Sequence, residues 1–307
     1  MASRILITGI SGSLAQLCAE KLLEDGHEII GVDYRRRPLA LNPAIQFFKA
    51  NYNKRMIEDV FKRHPPQKVL HLGRVGNLKT ASTKRFDLNV IGSAKIMELC
   101  LKHEVERLVV LSTFHIYGAH PHNHIPISEE EPLRAALRFP QLSDAVQLDT
   151  LATQWVYRHR RLRSVVLRPC NIVGPNINNS ISQNLRKRNL PYLLGFNPMW
   201  QFVHESDMVQ ALMLTLCSDQ VGVYNVAGGS SMPVVDAIRL TGAQPLPIPS
   251  SMASLALKLG RNRTIPPYFL DFLKYPCVIV DRKFREEFGY LPKVDAVRTL
   301  ESTVQSN

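Results

Sequence analysis

The chain has 307 residues, 45% of them hydrophobic and 21% charged, so it can bury the core of one large domain or two modest ones. The net charge is +12, and the basic residues form short runs that are far apart in the sequence. This pattern favours an anionic small molecule over a nucleic acid as the binding partner. No apolar run approaches the roughly 20 residues of a membrane-spanning helix, which predicts no membrane association. Five scattered cysteines without Cys-x-x-Cys spacing favour a reducing cytoplasmic compartment over disulfides or zinc.

The first half of the chain alternates short β-branched runs with amphipathic stretches. Continuous apolar strands separated by helices are typical of a parallel sheet that is covered on both faces. The pattern therefore predicts an α/β fold with a Rossmann-like, doubly wound parallel sheet. The predicted strands are 4–8, 28–33, 45–49, 68–72, 107–112 and 164–168, and the predicted helices are 13–25, 54–64, 90–103 and 150–160.

The character of the sequence changes after Pro169. Segments 174–200 and 233–276 are rich in proline, asparagine and glycine, which predicts short helices and little strand. Residues 202–204 and 223–226 resemble strands that return to the first domain. We therefore expect a nucleotide-binding domain over 1–172, to which segments near 201–230 return. A smaller, partly interleaved α+β substrate domain is expected over 173–307.

A glycine-rich turn follows the first predicted strand and opens the first predicted helix. Gly9 permits the tight turn, Gly12 lets the backbone approach a pyrophosphate, and Ala15 lets the helix lie close to the strand. The amides at the start of that helix face the phosphates. The turn therefore predicts dinucleotide contacts from Thr8, Gly9, Ser11, Gly12, Ser13 and Leu14.

The second predicted strand ends at Asp33, 21 residues after Gly12. A carboxylate at this point accepts hydrogen bonds from the adenosine ribose and repels a 2′-phosphate. Arg35 complicates the choice, because an arginine just past this strand can also hold a 2′-phosphate. We include Arg35 among the cofactor residues, and the sequence favours NAD over NADP.

Several segments in the right order resemble the extended short-chain dehydrogenase/reductase family of nucleotide-sugar epimerases and dehydratases. They are TGISGSLA (8–15), VLHLG (69–73), DLNVIGSAKIMELC (87–100), LVVLSTFHIYG (108–118), VVLRPCNIVGP (165–175), FVHESDMVQAL (202–212), VYNVAGG (223–229) and VIVDRKFREEFGYLP (278–292). The resemblance implies further cofactor contacts from Leu72, Gly73, Arg74, Asn89, Ser112, Pro169 and Asn171. It also implies an anionic, nucleotide-sugar-like substrate that contacts Thr113, His115 and His204.

One departure from the family bears directly on catalysis. A Tyr-x-x-x-Lys pair on the helix at 143–160 supplies the family's acid/base chemistry, but these positions align with Ala145 and Asp149. Alanine carries no proton to transfer, and an aspartate does not lower the pKa of a neighbouring phenol. The sequence therefore predicts an NAD-binding protein that lacks the ordinary chemistry and acts as a binding protein or an atypical enzyme.

The alternative is an active epimerase, dehydratase or reductase with a relocated acid/base. Thr113 is the candidate catalytic residue, and a histidine of the 115–124 loop or a bound water could supply the proton. Tyr157 with Arg161 has the right spacing but lies further along the helix. We predict no metal site in this loop, because no carboxylate or cysteine completes a ligand set. The family's usual dimer helix carries Leu151 and Trp155 on its outer face, which is compatible with a homodimer.

Overall fold

The computed structural model describes residues 2–76, 80–258 and 269–305, and their side chains except those of 255–258. The predicted helical and irregular region 233–276 therefore lies partly outside the described residues. Twelve strands occur in the described ranges. They are β1 (Arg4–Thr8), β2 (Glu28–Asp33), β3 (Gln46–Lys49), β4 (Lys68–His71), β5 (Arg107–Leu111), β6 (Arg163–Pro169), β7 (Asn171–Val173), β8 (Asn189–Leu193), β9 (Met199–His204), β10 (Gly222–Val226), β11 (Ser231–Pro233) and β12 (Gln244–Ile248).

The helices of the described ranges are α1 (Ser13–Glu24), α2 (Arg55–Arg63), α3 (Ser82–Phe86), α4 (Gly92–Lys102), α5 (Ala135–Arg138), α6 (Ser143–Arg158), α7 (Ser180–Leu185), α8 (Glu205–Cys217), α9 (Val234–Leu240), α10 (Ser250–Lys258), α11 (Phe269–Phe272), α12 (Arg282–Phe288) and α13 (Ala296–Val304). A π-helical turn, Asp87–Ile91, joins α3 to α4, and Phe114–Tyr117 is a short 3₁₀ turn after β5. Within the described ranges, no helix is long and apolar enough to cross a bilayer.

The central sheet has seven parallel strands in the order β10-β6-β5-β4-β1-β2-β3. Successive residues face opposite sides: Ile7 and Val109 belong to one buried cluster, and Leu6 and Val110 belong to another. A strand that is buried on both faces needs apolar side chains at every position, which explains its continuous apolar run. The predicted Rossmann-like fold is confirmed. Because all seven strands run in the same direction, the carboxyl ends of β1, β2, β4, β5 and β6 lie on the same side of the sheet.

Two smaller sheets follow β6. Strand β9 pairs in parallel with β7 and antiparallel with β11, while β8 and β12 form a parallel pair. The expectation of little strand was therefore wrong for this region. Prolines at 191, 245 and 247 obscured the strand pattern, but a two-stranded sheet tolerates them because each of its strands is an edge.

Of the two segments expected to return to the first domain, only 223–226 joins the central sheet, as part of β10. Strand β9 instead pairs with β7 and β11, and Val203 packs in the same buried cluster as Ile7 of β1, so the return of 202–204 to the first domain stays a prediction. Helix α8 does return: its last carbonyls accept hydrogen bonds from Lys68 on β4 and Arg107 on β5. Cations at a helix C-terminus offset its partial negative charge. The boundary at residue 172 stays a prediction.

Candidate functional site

The turn between β1 and α1 depends on the absence of a side chain at Gly9. Gly9 has a φ of +72° and donates its amide to the carbonyl of Val32 at 2.8 Å. A Cβ on Gly9 would lie 2.6 Å from the Cα of Gly73, which follows β4. Only glycine relieves both the backbone strain and this contact. The turn thus brings β1, β2 and β4 together at one point.

The start of α1 leaves room for an anion. A Cβ added to Gly12 would meet only the carbonyl of Gly9, at 3.2 Å. Gly12 occupies the position before α1 without a side-chain cap, and Ser13 and Leu14 form the first turn as partly exposed residues. The first amides of a helix carry partial positive charge and bind phosphate oxygens. The residues present therefore fit the pyrophosphate of a dinucleotide.

Asp33 lies beside this turn as predicted, but its carboxylate is fully covered. One oxygen accepts the amide of Ser11 at 3.1 Å, and the other accepts the amide of Arg35 at 2.9 Å. The guanidinium of Arg35 also spans both oxygens, at 3.1 and 2.9 Å. Asp33 is 0% exposed, whereas the Arg35 side chain is about half exposed. The sequence offers Asp33 and Arg35 as opposing signals for NAD and NADP, whereas in the structure they form an ion pair.

A chain of hydrogen bonds connects the glycine turn to α4. Gly73 donates its amide to Thr8 Oγ1, and this hydroxyl lies 2.7 Å from Nδ1 of His71. His71 Nε2 lies 2.7 Å from Ser93 Oγ, which donates in turn to the carbonyl of Asn89. These partners fit a neutral His71 with its proton on Nε2. Burial lowers the pKa of His71 to about 4. The sequence offered no signal for His71 beyond its place in a strand.

This histidine makes the stability of the fold depend on pH. The unfolded chain binds a proton at His71 near pH 6.5, whereas the folded protein does so only near pH 4. We therefore expect the free energy of unfolding to fall as the pH is lowered from about 6.5 to 4. Urea unfolding at several pH values should show a smaller decline for His71→Gln. Exposed His122→Gln is the control, and an equal decline in both variants and the wild type would contradict this role.

The segment after β4 is held by the π-helical turn. Asn89 accepts the amide of Val75 at 2.8 Å and donates to the carbonyl of Val75 and to Asp144. A Cβ on Gly73 would lie 2.3 Å from the hydroxyl of Tyr52, so a larger residue here requires the Tyr52 ring to move. Leu72 and Arg74 flank Gly73 at the same sheet edge. The structure thus gives Asn89 a positioning role, and direct contact between Asn89 and a cofactor stays a prediction.

Helix α6 carries Ala145 and Asp149, whose alignment with the family's Tyr-x-x-x-Lys pair stays a prediction. Ala145 is only 4% exposed and packs in the core, and Asp149 is 0% exposed. Asp149 accepts a hydrogen bond from Ser112 at 2.6 Å and two from the guanidinium of Arg168, at 3.0 and 2.6 Å. A two-pronged pair of this kind is strong and directional. Ser112, predicted to contact the cofactor, is thus a partner of Asp149.

The ion pair extends into a buried network across three strand ends. Arg168 also donates to the hydroxyl of Tyr117 at 2.9 Å and to the carbonyl of Glu129. Tyr117 donates to Asn225 on β10 at 2.8 Å. Burial raises the pKa of Tyr117 above its usual range, so this phenol stays protonated. The network joins the ends of β5, β6 and β10.

Thr113 and His115 lie together at the end of β5. Thr113 Oγ1 and His115 Nδ1 are 2.9 Å apart. Burial, together with the charge of Arg74, lowers the pKa of His115 to about 3, so the imidazole is neutral at physiological pH. His115 and Asn171 line a cavity of about 20 Å³ with apolar side chains such as Phe114. This is room for about one water molecule, so a sugar ring requires these side chains to move.

The remaining predicted residues have local partners. His204 precedes α8 and accepts the amide of Ser206 at 3.2 Å as a helix cap, so substrate contact by His204 stays a prediction. Pro169 ends β6. Tyr157, the alternative tyrosine, is 62% exposed near the end of α6. In the described part of the chain, no group of three or more histidines, cysteines or carboxylates could hold a metal ion, and this includes the loop with His120.

Residues 5–227 match the NAD dependent epimerase/dehydratase family. The chain belongs to this family. The match covers the glycine turn, every strand of the central sheet and the network around Asp149. The resemblance read from the sequence motifs is therefore confirmed.

Known proteins resemble the chain over nearly its whole length. An uncharacterized protein of Mycobacterium tuberculosis is 23% identical over 97% of this chain and 82% of its own length. A crystal structure of UDP-glucose 4-epimerase from Thermus thermophilus in complex with NAD has a TM-score of 0.79, 22% identity and 98% coverage of both chains. The UDP-glucose 4-epimerase of Thermotoga maritima with UDP-glucose has a TM-score of 0.78, 20% identity and covers 98% and 97% of the two chains. At these identities the structural likeness shows the fold alone.

Proposed function

We propose that this protein binds NAD and an anionic, nucleotide-sugar-like ligand without the Tyr-Lys chemistry of its family. It acts as a cofactor-dependent binding protein. The observation that carries this proposal is the buried pair of Asp149 and Arg168, because Asp149 is the residue that the sequence motifs align with the family's lysine. A carboxylate that is already neutralised by an arginine can neither hold a nicotinamide ribose as a cation nor activate a phenol.

Three features support NAD as the cofactor. The glycine turn and the open start of α1 suit a pyrophosphate, and the carboxylate of Asp33 at the end of β2 is the chemical group that suits a ribose hydroxyl. Solved proteins of the same fold contain NAD. Bound NAD would supply a hydride acceptor, while this chain's residues bind and orient it. The net charge of +12 supports an anionic second ligand.

Cofactor binding at this position is testable with a charge placed at the start of α1. In Ser13→Asp, the new carboxylate favours the helix but repels a pyrophosphate. We expect NAD affinity, measured by isothermal titration calorimetry, to fall by about tenfold, which corresponds to 1.4 kcal/mol. Ser250→Asp places the same change at the first residue of α10 and should leave the affinity unchanged. Equal affinities in both variants would place NAD elsewhere.

Loss of ordinary catalysis is tested by product analysis. The protein is incubated with NAD and UDP-glucose, UDP-galactose or UDP-glucuronic acid, and the sugars are separated by chromatography. We expect binding of NAD without epimerised, dehydrated or oxidised product. Formation of more than one molecule of product per protein molecule would overturn the proposal, because repeated turnover requires a working acid/base.

A second function, an active enzyme with a relocated acid/base, is favoured by one observation. The 2.9 Å contact between Thr113 and His115 places a hydroxyl beside a neutral imidazole that lines the cavity. A neutral imidazole accepts a hydrogen bond from a hydroxyl, but its pKa of about 3 makes His115 a weak base at neutral pH, so this function is the second candidate. If product forms, Thr113→Val and His115→Gln should each abolish it while NAD binding persists, and Tyr157→Phe should not change it.

A further inference from the structure

The carboxylate of Asp33 is buried, and its hydrogen bonds are all made within the protein. Its two oxygens accept four hydrogen bonds: the amides of Ser11 and Arg35 supply two, and the Arg35 guanidinium supplies the other two. A carboxylate has about four such acceptor sites. Asp33 is 0% exposed, so an adenosine ribose cannot touch it in this arrangement. Of the groups that cover it, the guanidinium of Arg35 is the one carried by a half-exposed side chain.

We propose that Arg35 helps to determine whether the site prefers NAD or NADP, because its guanidinium competes with the adenosine ribose for Asp33. The inference rests on the proposed binding of NAD. To reach Asp33, the ribose hydroxyls must replace the two guanidinium hydrogen bonds, and this exchange weakens NAD binding. The amide of Ser11 keeps its bond to Asp33 throughout, so the glycine turn holds its position.

The ion pair between Arg35 and Asp33 also affects the binding of the 2′-phosphate of NADP. The paired guanidinium neutralises the carboxylate, so the repulsion expected from Asp33 alone is largely cancelled. A 2′-phosphate can also pair with the guanidinium, since arginine binds phosphate oxygens with two parallel hydrogen bonds. Two other cations lie close by, because Arg35 and Lys84 both face the ring of Tyr34 and Arg36 follows in the chain. Arg35 therefore narrows the preference for NAD over NADP.

The test compares NAD and NADP affinities for the wild type, Arg35→Ala, Arg35→Lys and Arg36→Ala by calorimetry. Arg35→Ala frees Asp33, so we expect NAD to bind about two- to fivefold more tightly, the range of a partly exposed ion pair. NADP should bind more weakly, because the carboxylate is then unopposed. Arg35→Lys keeps the charge but cannot span both oxygens, and it should shift the ratio of the two dissociation constants partway. Exposed Arg36→Ala removes a neighbouring charge without freeing Asp33, so it should leave the affinity for NAD unchanged.

The ratio separates this role from a purely structural one, because general damage to the site weakens both cofactors alike. Weaker NAD binding by Arg35→Ala, or an unchanged ratio, would overturn the inference while the proposed binding of NAD stands. If neither the wild type nor any variant binds NAD, the proposed function itself fails.

Discussion

Replacing Asp149 with alanine is expected to lower the free energy of unfolding by about 3–5 kcal/mol. The reason is that Arg168, whose side chain is only 4% exposed, would keep its charge without a counter-ion. Ser112 would also lose its acceptor. The cost of removing one partner from a buried pair exceeds the net stabilisation by the pair itself, since the remaining charge stays out of water. Urea unfolding at neutral pH measures the change.

Two comparisons show whether burial of the pair causes this loss. Asp236→Ala removes one partner of the exposed pair Asp236–Arg239 and should cost less than about 0.5 kcal/mol. Asp149→Lys places a second cation against Arg168, so it should destabilise the fold at least as much as Asp149→Ala. Asp149→Lys, which restores the family's lysine, should therefore disrupt the packing of α6 unless Arg168 is also replaced. A stable Asp149→Lys protein would show that the pair does not fix α6 in place.

The central fold could be predicted because its signals are local. Strands β1, β5 and β6 are continuous apolar runs that end at glycine, serine or proline, and these runs follow directly from burial on both faces. Strands β8 and β12 could not be predicted in the same way. Their prolines are acceptable only because each strand has a single partner, and this depends on a pairing between residues 55 apart, such as Asn189 and Gln244.

The residues of the candidate site could be predicted from the sequence, but the ion pairs between them could not. The alignment of Asp149 indicates that a lysine is missing, but the sequence does not indicate that Arg168 neutralises the carboxylate. These residues meet because α6 packs over β6, which is a tertiary contact. Asp33 and Arg35 are only two residues apart, yet their ion pair depends on the bend of the chain after β2. The spacing of motifs in the sequence identifies these charged residues, whereas tertiary packing decides which of them pair.

Replacing Gly9 with alanine is expected to abolish NAD binding and to cost about 2–5 kcal/mol of stability, because two penalties add. A residue with a Cβ at a φ of +72° is strained by about 1–2 kcal/mol. Its Cβ would also lie 2.6 Å from the Cα of Gly73, so the turn between β1 and α1 must move away from β4. Overpacking of this kind costs about 1–3 kcal/mol more.

Gly26→Ala provides a matched control for the backbone strain alone. Gly26 has a φ of +80°, but nothing lies within 4 Å of a Cβ added there. This variant should lose only the strain of about 1–2 kcal/mol and should bind NAD like the wild type. The difference between the two variants in thermal unfolding therefore measures the close approach of the two glycine segments. If Gly9→Ala binds NAD with unchanged affinity, the phosphates do not lie on this turn, because the amides that would hold them follow directly from Gly9.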